Sequence, residues 1–228
     1  MKAVALLATL ALAAPLHGHE PALGRLLIAT RQVSGFFAES VIVLVDHGDH
    51  GSLGLIVNRP LERSLAELLP DLEGAAGHDE PAFFGGPVAP RQMLLLVRSA
   101  RPPSGTAPVL DGVAVSGSRD TLRSWLEAPP AGSELRAYAG YAGWTSGQLA
   151  AEIARGDWLV ATGDAAAVFT RDPAGLWGEL LKKHQAIEVE VVPPTPHVFA
   201  GGLPPRHRGA PAVTTPALRA PVHAARIR

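Results

Sequence analysis

A chain of 228 residues, 47% hydrophobic and 18% charged, can bury the core of one globular domain. It contains no cysteine, which excludes disulfides, thiolate metal sites, thiol redox chemistry and a lipid anchor on sulfur. The formal charge of −1 is unevenly spread: residues 20–192 hold 14 Lys and Arg against 21 Asp and Glu, while residues 193–228 hold five Arg and no acid, so the domain lacks the basic balance that sequence-specific nucleic-acid reading requires.

Met1 and Lys2 precede an apolar run over residues 3–14, the length of a signal-peptide core and too short to span a bilayer. Residues 1–19 are therefore expected to be a cleaved secretory signal, with the mature chain starting between 14 and 20, exported to the periplasm or beyond, and carrying no transmembrane segment. The alternative is a misassigned start upstream of Gly24, which would leave the protein cytoplasmic.

Residues 25–30 and 40–45 are continuous runs rich in Val, Ile and Leu, the pattern of strands buried on both faces. Asp46, Gly48, Asp49 and Gly51 supply a tight reversal, and residues 53–57 return as a third strand that should end near Asn58, ahead of Pro60. Residues 61–72 read as a helix with Ser64 and Glu67 spaced as a capping box and Pro70 ending or kinking it. After a polar loop over 73–81, Phe83, Phe84, Gly85, Gly86 and Pro87 lead to a strand over 92–98. Residues 99–111, rich in Pro, Gly and Ser, read as a surface loop. A short strand at 112–116 and a helix from Ser118 to about Leu126 follow.

Residues 134–141 alternate as a strand that enters a glycine-rich turn over 140–144. Thr145 is placed to open a helix with Gln148 three residues on, and Gly156 to stop it. Residues 158–161 make another strand, and Asp172 with Pro173 starts a helix to about Lys183 that sets Lys182, Lys183 and His184 at its negative end. Residues 187–192 read as a last strand. Eight prolines among residues 193–228 mark a tail with no amphipathic period, expected to be disordered. The division is thus signal (1–19), domain (20–192) and tail (193–228).

No catalytic constellation is legible: Ser40, Ser64 and Ser146 lack a GxSxG elbow, and no cofactor loop is present. Asp46, His47, Asp49 and His50 are ligand types for zinc, but they crowd one turn without a second ligating element, so turn chemistry is favoured and no metal site is assigned. Asn58 and Arg59 stand at a strand end, where they either line a pocket or serve a turn and a surface ion pair. Gly85 and Gly86 offer backbone N–H groups to an anion or simply make a tight turn. Gly143, Trp144, Thr145 and Gln148 stand before a helix N-terminus, a natural anion site unless Thr145 and Gln148 are spent on the cap.

The phrases LLIAT (26–30), SVIVLVDH (40–47), GSLGLIVNRP (51–60), FFGGPVAP (83–90) and YAGYAGWTSGQLAAEIARGDWLVA (138–161), in that order and spacing, resemble the YqgE/AlgH family of bacterial proteins over about residues 24–192. Within the cluster at 46–50, His47 matches the family's pattern and His50 does not. The resemblance implies an α+β domain, a mixed sheet curled into a partial barrel with helices outside. It implies no reaction, since the family has no established one and its name comes from a proposed regulatory role in alginate synthesis. Two functional expectations stand: a non-enzymatic binding or regulatory module acting through an unidentified protein partner, without a cofactor; or a small-ligand receptor or enzyme whose pocket is lined by His47, Asn58, Arg59, Gly85, Gly86, Gly143, Trp144 and Gln148. Convergence of those residues on one concavity is the discriminating observation.

Overall fold

The apolar runs after Gly24 form β1 (Leu26–Ala29) and β2 (Val41–Gly48), antiparallel neighbours with Leu27 opposite Ile42. All of β1 and Val41 to Val45 of β2 are buried because both faces of this part of the sheet are covered, and each Val, Leu or Ile among them contributes about 1.5–3 kcal/mol. The computed structural model describes residues 20–72, 74, 75 and 78–191, with side chains through residue 186. The expected signal and the proline-rich tail lie outside the described residues.

The reversal after β2 is tighter than its composition suggests. Gly48 pairs with Gly51, so only Asp49 and His50 form the loop, while Asp46 and His47 remain in the strand beyond a bulge at Val45. Gly51, at φ +123°, opens β3 (Gly51–Ile56). Pro60 then begins β4 (Pro60–Ser64) instead of only closing β3; as the first residue of an outer strand it has no ladder N–H to offer. The helix expected over 61–72 shrinks to the single turn α1 (Leu65–Leu68). Its capping box is formed, with the Glu67 N–H on Ser64 Oγ and the Ser64 N–H on Glu67 Oε2, and because an N-cap is extended, the residues before Ser64 are left to strand.

β5 (Pro81–Phe84) pairs with β4 and runs parallel to β9 (Glu134–Trp144). β6 (Val88–Arg98) starts earlier than expected, and the segment expected to be a loop at 99–111 contains β7 (Ala107–Leu110), recruited by pairing with β8 (Val113–Ser116). α2 (Arg119–Glu127) is capped by Ser118, whose Oγ accepts from the Thr121 N–H. The glycine-rich stretch 140–144 is strand, not turn. Gly140, at φ +68°, stands opposite a bulge in β6, where residues 89–92 loop out between the pairs Val88–Tyr141 and Met93–Ala139, and side chains of β9 beyond it change face.

α3 (Gln148–Ala154) ends in a Schellman motif: the Gly156 N–H donates to the Ile153 carbonyl and the Asp157 N–H to that of Glu152. β10 (Trp158–Ala161) pairs with β1. A further turn, α4 (Ala165–Val168), precedes α5 (Pro173–Val191), which Asp172 caps through the Gly175 N–H. No Gly or Pro interrupts the chain between Gly178 and Pro193, so the helix runs through residues 187–191, where a last strand was expected, and Lys182, Lys183 and His184 sit within it instead of at its end.

The main path of the sheet is β10-β1-β2-β3-β9-β6-β8-β7, with β5 and β4 attached to β9. Its ends curl toward each other beside β7: a Cβ on Gly24, just before β1, would lie 2.5 Å from the Val109 carbonyl oxygen, and one on Gly163, just after β10, would lie 3.2 Å from the Leu110 side chain. Among the described residues no ladder joins these ends. The fold is therefore a single α+β domain with an open, partly barrelled sheet. One core, with Leu26, Val43, Leu55, Phe83, Leu96 and Tyr138, is closed by Phe169 and Leu176; a second gathers Ile42, Trp144, Leu149 and Trp158; a third sets Leu65, Leu122 and Leu126 against Leu95 and Ala137. No helix among the described residues is long and apolar enough to cross a membrane.

Candidate functional site

The residues singled out in the sequence do not meet in one concavity. His47 is exposed on the β2–β3 hairpin, its Nδ1 2.7 Å from the Ser52 hydroxyl directly across the ladder. His50 reaches Asp46 at 2.9 Å, both largely exposed. Among the described residues no group of three or more His, Asp or Glu is arranged to hold a metal.

Asn58 is buried, and both its polar atoms are bonded. Its Oδ1 accepts from the Val41 N–H at 2.8 Å and its Nδ2 donates to the Glu39 carbonyl at 2.9 Å, tying the β3–β4 turn to the loop before β2. Arg59 adds to the same brace, donating from Nη1 to the Phe36 carbonyl and from Nη2 to that of Ala38 at 2.5 Å. Partial burial pulls its guanidinium below the usual arginine value, while the nearby Glu39 charge works in the opposite direction. Arg59 thus holds the single 3-10 turn (Gly35–Phe37) by its Phe36 carbonyl and the chain just after it, Asn58 holds the residues that follow, and the Phe36 ring stands outward with its centroid 6.4 Å from that of Phe84.

Gly85 and Gly86 are sites of close strand crossing. The Gly85 N–H donates to the Ala139 carbonyl and its carbonyl accepts from Ile56, while a Cβ on Gly86 would lie 2.2 Å from the Tyr141 carbonyl carbon. Gly143 is an ordinary exposed strand position opposite Leu53. Trp144 and Gln148 do meet, around a residue that sequence reading passed over: Glu152 accepts from the Trp144 indole at 2.8 Å, the Trp158 indole at 2.9 Å and the Gln148 amide at 3.0 Å. Gln148 Oε1 in turn takes the Thr145 N–H and hydroxyl, so these two side chains are spent on each other and leave no anion site before α3, with Gly147, which has no side-chain cap, at the N-cap. The spacing of Gln148 and Glu152, four apart on one helix face, is the one local signal for this clamp.

A second constellation is invisible in the sequence because its members come from distant elements. Arg136, on β9, lays its guanidinium over the rings of Phe83 (4.6 Å to the centroid) and Phe169 (5.5 Å), and donates to the carbonyls of Val168, at 2.9 Å, and Thr170. Tyr138, two residues along the same strand face, is fully enclosed, and its hydroxyl makes no hydrogen bond of acceptable geometry among the described residues. Burial holds this phenol far above its ordinary pKa, outweighing the opposing pull of Arg136. Arg136 also walls a cavity of about 370 Å³ between β5, β9 and α2, which Leu65, Trp125 and Phe169 help to line.

A family profile described as AlgH-like (DUF179) matches residues 26–188. The chain belongs to that family. A UPF0301 protein of Methylococcus capsulatus is 35% identical over 171 residues, covering 72% of this chain and 92% of its own. Another, from Chlamydia pneumoniae, is 34% identical over 160 residues, 70% of this chain and 85% of that one. Among solved structures, the AlgH protein of Pseudomonas aeruginosa superposes with a TM-score of 0.59 at 30% identity, covering 73% of this chain and 89% of the other. A Corynebacterium diphtheriae protein superposes with a TM-score of 0.61 at 22% identity, covering 73% and 88%, and shares the fold. The AlgH-like match thus spans the domain that carries both constellations.

Proposed function

We propose that this AlgH-like chain is a non-enzymatic binding or regulatory module that works through protein contacts in the cell envelope. The observation that carries the reading is Phe36, 67% exposed on a turn whose carbonyl Arg59 holds and after which Glu39 is tied down by Asn58. An aromatic side chain held in place before association loses little freedom on binding, and such residues dominate contact energies. The alternative, a receptor or enzyme pocket built from His47, Asn58, Arg59, Trp144 and Gln148, has less support, because the polar atoms of Asn58 and Arg59 bond to backbone and those of Trp144 and Gln148 to Glu152 and Thr145.

Export is supported by Lys2 and the apolar run at 3–14, and the five arginines of residues 193–228 give that segment, not the acidic domain, an attraction to polyanions. A photo-reactive residue at position 34, introduced in the native host, should cross-link one reproducible envelope protein, and Phe36→Ser should abolish the product. Cross-links of equal yield from position 132, or a yield indifferent to Phe36→Ser, would refute the contact. N-terminal sequencing tests export: a recovered Met1 in the cytoplasmic fraction excludes it.

A further inference from the structure

The cavity beside Arg136 carries charge of both signs. Of its two acids, Glu134 pairs with Arg98, and Glu80 lies largely in solvent, 3.6 Å from His78, from where it still repels an added negative charge. Arg136 forms no ion pair among the described residues; two of its five N–H groups go to backbone carbonyls and its guanidinium also stands beside the Tyr138 hydroxyl, so part of its donor capacity remains for a ligand. The Tyr138 phenol on the same strand face is no counter-ion either, since burial keeps it protonated. What is left is a partly enclosed cation facing a chamber whose other walls are mainly apolar, with the Trp125 indole fixed by its hydrogen bond to Ser133 at 3.2 Å.

We propose that this cavity binds a small monocarboxylate with a flat apolar body, its carboxylate on Arg136 and its body against Trp125 and Leu65. A volume of about 370 Å³ falls within the range of small-molecule sites. A guanidinium suits a planar carboxylate, which it can meet with two parallel N–H bonds. A phosphate dianion suits the site less, because the carboxylates of Glu80 and Glu134 share the lining and repel the second charge. This site is distinct from the Phe36 surface and adds a small-ligand function to a module that works through protein contacts.

The test titrates 3-phenylpropionate into the full chain while the Trp125 indole N–H is followed by NMR, with 3-phenylpropanamide and phenyl phosphate as comparisons. The acid should bind saturably, about tenfold or more tighter than the amide, with phenyl phosphate weaker than the acid. Arg136→Met should erase the preference for acid over amide. Glu80→Gln, at an exposed position that leaves the core intact, should raise affinity for the acid by about two- to threefold, and it decides the matter if the Arg136 variant does not fold. Equal binding of acid and amide, no saturation in the millimolar range, an unmoved Trp125 signal, or an acid affinity unchanged by Glu80→Gln would each overturn the site.

Discussion

Arg59 and Arg136 make the same bonds and do different work. Each donates through its two terminal nitrogens to a pair of carbonyls two residues apart, and each thereby pins a short helical turn, at 35–37 for Arg59 and at 165–168 for Arg136. Around Arg59 the Glu39 carboxylate supplies opposite charge and the pinned turn pushes an aromatic ring outward. Around Arg136 there is aromatic face on two sides and a chamber in front. Bonding pattern alone does not assign a role to an arginine; the charge and surface around the brace decide whether it presents something or receives something.

The two regions share one strand. Consecutive residues of β5 face opposite ways, so Phe83 lies under Arg136 while Phe84 approaches Phe36. Disturbing the end of β5 should therefore damage both regions. Gly86→Ala puts a methyl group 2.2 Å from the Tyr141 backbone at φ +152°, and is expected to cost about 3 kcal/mol or more, whereas Gly143→Ala, whose nearest contact would be 3.4 Å from the Tyr141 ring, should stay within about 0.5 kcal/mol; urea unfolding of the two variants measures the contrast.

A smaller effect separates the arginines themselves. Arg136→Met strands two carbonyls and removes two ring contacts, for an expected loss of about 2–4 kcal/mol, while Arg59→Met, at a wetter site, should lose about 1–2 kcal/mol. Equal urea midpoints for the two variants would break the comparison.

The smallest effect concerns Tyr138 and depends on pH. Its folded pKa is raised, so the stability it confers through staying neutral is fully present below the phenol's ordinary value of about 10 and falls as pH climbs beyond it. Tyr138→Phe should lie within about 1 kcal/mol of the parent at pH 7, since it deletes a buried hydroxyl that stands beside Arg136 without a well-formed hydrogen bond, and should lose less stability than the parent between about pH 9 and 11. Parallel alkaline curves would show that the hydroxyl is not held neutral by burial.

Much of the fold is legible in the sequence wherever the cause is local. The runs at 26–29 and 41–45, the Ser64 and Glu67 box, the Ser118 and Asp172 caps and the Gly156 stop all act through neighbours in the chain. The errors fall where a distant partner decides. Residues 107–110 contain Pro108 and look like loop until β8 pairs with them. Gly140 reads as a turn residue, yet opposite the β6 bulge the same positive φ falls inside a continuous strand. The candidate residues at 47, 58, 59, 144 and 148 were found by type, but type does not reveal that their polar atoms are spent on Ser52, Val41, Phe36 and Glu152. Arg136 carried no signal at all, because Phe83 and Phe169 approach it, and Trp125 joins it around one cavity, only once β5, the segment after α4, and α2 have packed.

The bulge opposite Gly140 has a consequence for cooperativity. Before it, β9 sends Tyr138 into the first core and Ala137 into the third; after it, Ala142 and Trp144 enter the second. The strand also pairs with β3, β5 and β6 at once. No core can loosen around β9 without releasing the other two, so its amides should be freed for solvent exchange only by global unfolding, while the outer strands β7 and β10 open in smaller fluctuations. A single glycine with a positive φ thus lets one strand serve three separate hydrophobic clusters.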